Sequence, residues 1–212
     1  MGYAMKAERF FGEEERRRLR EATKSAESLT IGEIVVMVVE GSDHYRDAEA
    51  IGGIFAGVLF SFIVTVAFFN SSLWSFIPLS FIFFFPSLLL FRKVPTLKMT
   101  FTTRERKREA VQQRALRAFY EKGLHRTKMN TGVLFFLSLL ERKVWVLADR
   151  GIYEKIDQET LNGFAGIVTQ GVRDHHACDA LCEAIRQMGE LLARHFPKTR
   201  DDTDELSDEV IT

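Results

Sequence analysis

Acidic side chains at the ends of predicted strands are the residues most able to do chemistry in this sequence. Glu33 precedes a β-branched segment, Asp43 follows that segment, and Asp149 ends a later one. Carboxylate oxygens are the ligands that Ca²⁺ and Mg²⁺ take from proteins, and ligands of sheet proteins bind beyond strand ends. We therefore treat Glu33, Asp43 and Asp149 as candidate metal ligands, with calcium or magnesium as the expected ion. The catalytic residues stay unassigned.

The position of each carboxylate limits which of them could share an ion. Glu141 starts the predicted strand that Asp149 ends, so these two lie at opposite edges of the sheet. If the first strand runs parallel to residues 131–140, Glu33 lies nearer Asp149, and Asp43 lies on the Glu141 side. A hard cation needs several oxygen ligands, and this set is small. Salt bridges and turn capping are therefore the alternative interpretation of the same carboxylates, and the favoured one.

A second group combines imidazoles and thiols, which are good zinc ligands. It consists of His175, His176, Cys178, Asp179 and Cys182. On a helix the two cysteines share a face and His175 lies one turn back, so a four-ligand shell would need strain or a second chain. We interpret Cys182 as a core residue and the histidines as part of a solvated loop. The sequence contains no nucleophile elbow, phosphate-binding glycine loop, zinc-binding helix pair or EF-hand spacing.

These candidates flank a long apolar stretch that has to position them. Residues 51–91 contain no Asp, Glu, Lys or Arg. At about 1.5 Å per residue, a helix over residues 51–69 is roughly 28 Å long, which matches the hydrocarbon thickness of a bilayer. Residues 73–91 make a second helix of this length, after the polar turn at residues 70–72. The sequence predicts a transmembrane helical hairpin, in which Gly52, Gly53 and Gly57 allow close packing of the two helices.

Basic residues beside the hairpin predict its orientation. Only Arg46 lies within about twenty residues before it, whereas the same distance after it is strongly basic. Because positive charge is retained on the cytoplasmic side, both soluble parts and both termini are predicted to be cytoplasmic, at a bacterial inner (plasma) membrane. Two other interpretations of residues 104–108 are a solvated helix start and contact with anionic lipid headgroups. The membrane-flanking basic residues are Arg92, Lys93, Lys98, Arg104, Arg106, Lys107 and Arg108.

Periodicity predicts a soluble α/β domain on both sides of the hairpin. Strands are expected over residues 34–39, 131–140 and 143–148, and helices over 104–121, 153–156, 158–172 and 178–196. Residues 8–28 are also helical in pattern, and the three glutamates at 13–15 are expected to open that helix. Residues 1–50 and 93–197 are expected to form one discontinuous domain into which the hairpin, residues 51–92, is inserted. Residues 198–212 are acidic and are predicted to form a loose tail.

The order of several short segments resembles the TPM domain family, named partly for thylakoid-lumen acid-phosphatase-like proteins. The resemblance implies a small α/β three-layer sandwich with a short central sheet. Phosphatase activity and metal or calcium sites are ascribed to some relatives, and soluble relatives are commonly exported. This sequence has no apolar leader, and its hairpin interrupts the domain. The similar segments are residues 13–39 with Thr-Ile-Gly-Glu at 30–33, then residues 130–136, 141–144 and 148–152, and finally Phe196-Pro197 and 204–211.

Two functions are consistent with these observations. The first is a membrane-anchored, TPM-like interaction or assembly module that binds a membrane-protein partner. The second is a metal-dependent acid phosphatase, which would use the region around Asp149. A formal net charge of zero gives no bulk field that favours nucleic acid. Two cysteines are too few for a disulfide framework, which favours a reducing compartment.

Overall fold

A computed structural model describes residues 6–69, 73–127, 129–198 and 210–212. The α-helices are α1 (Glu13–Glu27), α2 (Arg46–Phe68), α3 (Leu73–Lys93), α4 (Pro95–Thr100), α5 (Arg104–Glu121), α6 (Arg150–Tyr153), α7 (Gln158–Arg173) and α8 (Ala177–His195). The strands are β1 (Glu33–Val39), β2 (Gly132–Ser138) and β3 (Lys143–Ala148), and short 3-10 helices cover Ala7–Arg9 and Leu124–Arg126.

The chain divides into two compact units. One is Asp43–Lys107, and the other combines residues 6–42 with the described residues from Arg108 onward. The first unit includes more residues on both sides than the insertion predicted from hydropathy, residues 51–92. It also contains α4 and the residues around Phe101, because the Phe101 ring packs 5.9 Å from that of Phe55 and 5.5 Å from that of Phe91.

A mixed three-stranded sheet organises the second unit, in the order β1-β2-β3. β1 runs parallel to β2 with Glu33 opposite Gly132, and β2 pairs antiparallel with β3. The five residues after Glu33 and all seven of β2 are buried on both faces of the sheet. Continuous apolar strands of this kind need helices on both sides.

Helices cover both faces, so the expected α/β three-layer sandwich is confirmed. On one face, Val36, Val38 and Phe135 pack in a core that includes side chains of α1, α7 and α8. On the other, Met37 and Phe136 pack against the α5 residues Val111, Ala115, Ala118 and Phe119. Alternate residues of each strand supply the two cores, because side chains alternate across a strand.

Carboxylate hydrogen bonds determine where two of the helices begin. The first α-helix begins at Glu13, as expected from the three glutamates at 13–15, because Gly12 is its extended N-cap and its N–H donates to Glu15 Oε2 over 2.8 Å. The helix expected over residues 153–156 lies instead at Arg150–Tyr153, since the Asp149 carboxylate accepts a hydrogen bond from the Arg150 N–H over 2.7 Å and starts it.

The tail expected over residues 198–212 differs from that prediction at its end. Residues 199–209 lie outside the described residues. Ile211, however, forms a parallel bridge with Met37 of β1, so residues 210–212 are not a loose tail. Two backbone hydrogen bonds and the apolar side chains of Val210 and Ile211 explain this difference.

Candidate functional site

The interface between α2 and α3 depends on glycines. A Cβ at Gly57 would lie 3.0 Å from the backbone Cα of Phe84, and one at Gly53 would lie 3.2 Å from the Cα of Leu88. A Cβ at Gly52 would overlap the ring of Phe91. Small residues therefore let the two backbones approach, as the sequence predicts for these three glycines.

Hydroxyl groups add polar contacts inside the hairpin. The Ser61 Oγ donates to the carbonyl oxygen of Phe76 over 2.9 Å. The Ser80 Oγ lies 2.8 Å from the same carbonyl and 3.2 Å from Ser61 Oγ. These bonds satisfy polar groups without water, which an apolar environment requires.

The outward surface of the hairpin is apolar and open. Phe62 is 58% exposed, Phe81 68% and Phe85 65%. Both α2 and α3 are long and apolar enough to cross a membrane, and only 6% of the α3 span and 28% of the α2 span are buried. A helix from the core of a soluble protein would instead bury most of its surface. Contiguous exposed apolar surface of this extent marks an interaction with lipid or protein.

Ion pairs close the base of the hairpin, where α2 begins and α4 follows α3. The Lys98 ammonium lies 2.8 Å from Glu49 Oε2 and 3.2 Å from the carbonyl oxygen of His44, and its side chain is only 10% exposed. Arg106 pairs with Asp43 at 2.6 Å. These contacts hold the two ends of the first unit together.

The seven membrane-flanking basic residues separate into three groups. Three of them make internal contacts like those above: Lys98 and Arg106 in ion pairs, and Lys107 through a 2.9 Å bond to the Met99 carbonyl oxygen. Within the second unit, the Arg108 guanidinium lies over the ring of Trp145, 5.6 Å from its centroid. Arg92, Lys93 and Arg104 are exposed, and none of them has an acidic partner among the residues that the structure describes.

The candidate metal ligands occupy different surroundings. Glu33 and Asp149 lie at one edge of the sheet, because Glu33 pairs with Gly132 and the Asp149 N–H donates to the Gly132 carbonyl. Glu33 is 5% exposed, and Asp149 Oδ2 is buried without a hydrogen-bond partner in the described chain. Asp43 belongs to the other unit and pairs with Arg106. Within the described ranges, no three His, Cys, Asp or Glu side chains gather to hold a metal ion.

A buried polar network lies at the opposite edge, where β1 and β2 end. Glu141 is 7% exposed and accepts hydrogen bonds from the Ser138 hydroxyl and, over 3.0 Å, from the Ser42 N–H. The Ser42 hydroxyl donates to Ser138 Oγ over 2.8 Å. Glu141 therefore caps the turns after two strands, which agrees with the favoured interpretation of the carboxylates. The sequence gives no signal for the two serines, since their pairing joins residues 96 positions apart.

The two cysteines, Cys178 and Cys182, pack in the protein interior as structural residues. Cys178 is 3% exposed, and burial raises the pKa of its thiol to about 12. Burial also raises the pKa of Cys182, and the Asp179 carboxylate pairs with Arg18 at 2.5 Å. High thiol pKa values oppose formation of the thiolate that binds zinc or attacks an electrophile. Cys182 and Asp179 also line an open groove of about 310 Å³ between α1 and α8, whose floor includes Ala22 and Ala26.

Comparisons with known proteins support the fold alone. No family model matches the sequence, and no curated protein matches it. The BA42 protein of the psychrophilic bacterium Bizionia argentinensis, solved by NMR, has a similar structure with a TM-score of 0.61. The two chains share 18% sequence identity, and the match covers 97% of each. At that identity the likeness extends to architecture and carries no activity.

Proposed function

We propose that this protein is an integral membrane protein in which the α2–α3 hairpin anchors a TPM-like α/β domain that acts as an interaction or assembly module. The observation that carries the proposal is the open apolar surface of two helices that are each long enough to cross a bilayer. A bilayer would cover Phe81 and Phe85, which are otherwise exposed to water at 68% and 65%. At about 25 cal/mol per Å² of apolar surface, covering such a surface stabilises insertion strongly.

Charge supports a cytoplasmic location for the domain. Residues 43–107 contain seven Lys or Arg and four Asp or Glu, a net charge of +3, and all of these residues flank the uncharged stretch 50–91. The residues that join α2 to α3 carry no charge, so that end crosses the membrane at lower cost. This asymmetry supports a location of both ends of the hairpin at the cytoplasmic face of a bacterial inner membrane.

The three exposed cations add an electrostatic contribution to anchoring. Arg92 and Lys93 follow the last turn of apolar residues of α3, in which Leu89 and Leu90 are 54% and 47% exposed. Cations at the end of an apolar span lie at the level of the lipid phosphates. A contact of this kind contributes about 1 kcal/mol per residue with anionic lipid. The expected partners are therefore the bilayer itself and a membrane protein that the α/β domain binds.

The role as a module follows from the chemistry that the domain offers. At the edge with Glu33 and Asp149, Asp149 Oδ2 is buried without a hydrogen-bond partner in the described chain. At the opposite edge, the Glu141 carboxylate caps turns. A metal-assisted phosphatase needs a metal held by several ligands or another set of groups that stabilise phosphate charge. An ordered surface that binds another polypeptide needs neither.

Membrane insertion and orientation can be tested directly in a bacterial host. We expect the full chain to stay in the membrane pellet after an alkaline carbonate wash, which releases peripheral proteins. A double variant, Phe81→Lys with Phe85→Lys, should insert much less, since each Lys at mid-bilayer costs about 3 kcal/mol. The matched control places the same two charges on the exposed positions Leu116 and Tyr120 of α5. Release of the unmodified chain by carbonate would refute the anchor.

Orientation and activity need separate measurements. An alkaline phosphatase reporter fused after Thr212 should be inactive, and a periplasmically active reporter would overturn the cytoplasmic assignment. The purified chain should show no phosphatase turnover with calcium or magnesium. Turnover that disappears in both Asp149→Ala and Asp43→Ala would replace the module with an enzyme.

A further inference from the structure

The outer edge of β1 is held by a segment that is distant in sequence. The Val38 N–H donates to the Ile211 carbonyl oxygen over 2.8 Å, and the Ile211 N–H donates to the Val36 carbonyl oxygen over 2.9 Å. These are the two hydrogen bonds of a parallel bridge centred on Met37. Ile34 lies on the same edge of β1, two residues before Val36. Its N–H donates to the Glu27 carboxylate over 2.7 Å.

The side chains of this segment enter both cores of the sandwich. Val210 packs against the core that holds Val36 and Val38, whereas Ile211 packs against the one that holds Met37. Adjacent residues of a strand point to opposite faces of a sheet, so Val210 and Ile211 occupy the position that an added strand would take. The edge of β1 therefore binds two adjacent apolar side chains, one on each face of the sheet, and the backbone between them.

We propose that the outer edge of β1 is a strand-addition site for an extended segment of a partner polypeptide, and that residues 210–211 occupy it within the chain. The partner segment runs parallel to β1 and carries an adjacent pair of β-branched apolar residues, like Val210-Ile211. Main-chain hydrogen bonds supply affinity at such a site, and the two side-chain seats supply specificity. The inference deepens the proposed module by naming its binding surface, and it rests on that function.

The occupied edge explains how the site can be both protected and available. An exposed edge strand invites indiscriminate pairing, and a short covering segment prevents it. Among the described residues of the covering segment, 210–212, two backbone hydrogen bonds to β1 are present. A partner strand offers the same two hydrogen bonds and the same pair of apolar side chains, so it competes with the covering segment for this edge.

Binding of a peptide in trans tests the site. The receptor is the full chain with Ile211→Asp in uncharged detergent micelles, and the probe is a fluorescein-labelled peptide with the sequence of residues 204–212. We expect saturable binding by fluorescence anisotropy. The same peptide with Ile211→Pro should bind at least tenfold more weakly, because it lacks the N–H that donates to the Val36 carbonyl. A scrambled peptide of identical composition controls for its acidic charge.

Two further receptors keep the test independent of folding defects. The unmodified chain should bind at least tenfold more weakly than the Ile211→Asp chain, since a tethered segment competes at an effective concentration on the order of millimolar. Thr212→Asp, which adds the same charge at an exposed neighbour, should behave like the unmodified chain. A chain that ends at Lys198 provides a second receptor without the segment, and it should bind the peptide as Ile211→Asp does.

Amide hydrogen exchange of Val38 reports the displacement itself. Its exchange should accelerate in Ile211→Asp and slow again with bound peptide, whereas the Glu33 amide, which donates to the Thr131 carbonyl inside the fold, should not change. The proposal would be overturned if the Ile211→Pro peptide bound as tightly as the unmodified peptide, or if neither peptide bound. A dimer of the unmodified chain that Ile211→Asp dissociates would also overturn it, because the occupant would then be a second copy. These results are obtained in micelles, so they fail or succeed independently of the carbonate test.

Discussion

In the first unit, Asp43–Lys107, which contains the hairpin and is called the hairpin unit below, the ion pair between Lys98 and Glu49 should be the contact whose loss reduces stability most. Its side chains are 10% and 17% exposed, and their charged atoms lie 2.8 Å apart. At an effective dielectric constant of about 20, two unit charges at this distance attract by about 6 kcal/mol before desolvation is counted. Removing one partner leaves the other charge buried, which typically costs about 3–5 kcal/mol.

A double-mutant cycle separates the pair from its surroundings. We expect Lys98→Met and Glu49→Gln each to reduce the free energy of local opening by about 3 kcal/mol. The double variant should lie within about 1 kcal/mol of the unmodified chain, because it buries no charge. The measurement is amide hydrogen exchange of the first turns of α2 and of α4, made on the full chain in micelles.

A partly exposed ion pair in the same unit supplies the control. Arg106 and Asp43 lie 2.6 Å apart, but their side chains are 43% and 32% exposed. Arg106→Gln should therefore change the opening free energy by at most about 1 kcal/mol, and high salt should remove that difference. Additive single effects below about 0.5 kcal/mol at Lys98 and Glu49 would refute the reasoning, since a buried pair cannot behave as two independent surface charges.

Two other perturbations test packing and the thiols. Gly57→Leu should destabilise the hairpin by about 1–3 kcal/mol in detergent titrations, because its Cβ meets the backbone of Phe84, whereas Val58→Leu on the outward surface should change stability by less than about 0.5 kcal/mol. The Cys178 thiol, whose pKa burial raises to about 12, should be alkylated at pH 8 at least roughly a hundredfold more slowly than a cysteine in a peptide. The thiol ionises near pH 9 in the unfolded chain but not in the folded one. The stabilisation that the buried, protonated Cys178 thiol gives is therefore full below pH 9 and declines between pH 9 and 12. Fast alkylation of Cys178, or a Cys178→Ala chain whose stability falls with pH in the same way, would contradict this.

Local patterns were sufficient for most of the elements. The predicted helix over residues 104–121 and the strand over residues 143–148 coincide with α5 and β3, because amphipathic period and alternation are properties of neighbouring residues. The glycines of α2 also contact α3 as predicted, since two long apolar helices that lie so close in sequence tend to pack side by side. The parallel pairing of β1 with β2 was expected only as a condition, because no local pattern specifies strand direction.

The candidate site was harder to predict because its contacts are long-range. Lys98 is an ordinary flanking cation in the sequence, and only its contact with Glu49, 49 residues away, shows that it is a buried structural residue. Asp149 was a candidate metal ligand, with turn capping as the favoured interpretation, and its carboxylate indeed accepts a hydrogen bond from the adjacent Arg150 N–H over 2.7 Å as the N-cap of α6. The bridge between Ile211 and Met37 joins residues with no shared pattern at all.

The contacts at the base of the hairpin also explain how an apolar helical hairpin can interrupt an α/β domain. An insertion is tolerated when the two ends of the inserted unit lie close together, since the host chain then needs no rearrangement to accept it. Asp43 is the first residue of the hairpin unit and Arg106 is next to its last, and their side chains meet at 2.6 Å. The Lys98–Glu49 pair holds the same end of the unit together and is more buried than the Arg106–Asp43 pair. The paired flanking charges therefore close the unit on itself, and Arg92, Lys93 and Arg104 contribute the net positive charge on which the proposed orientation rests.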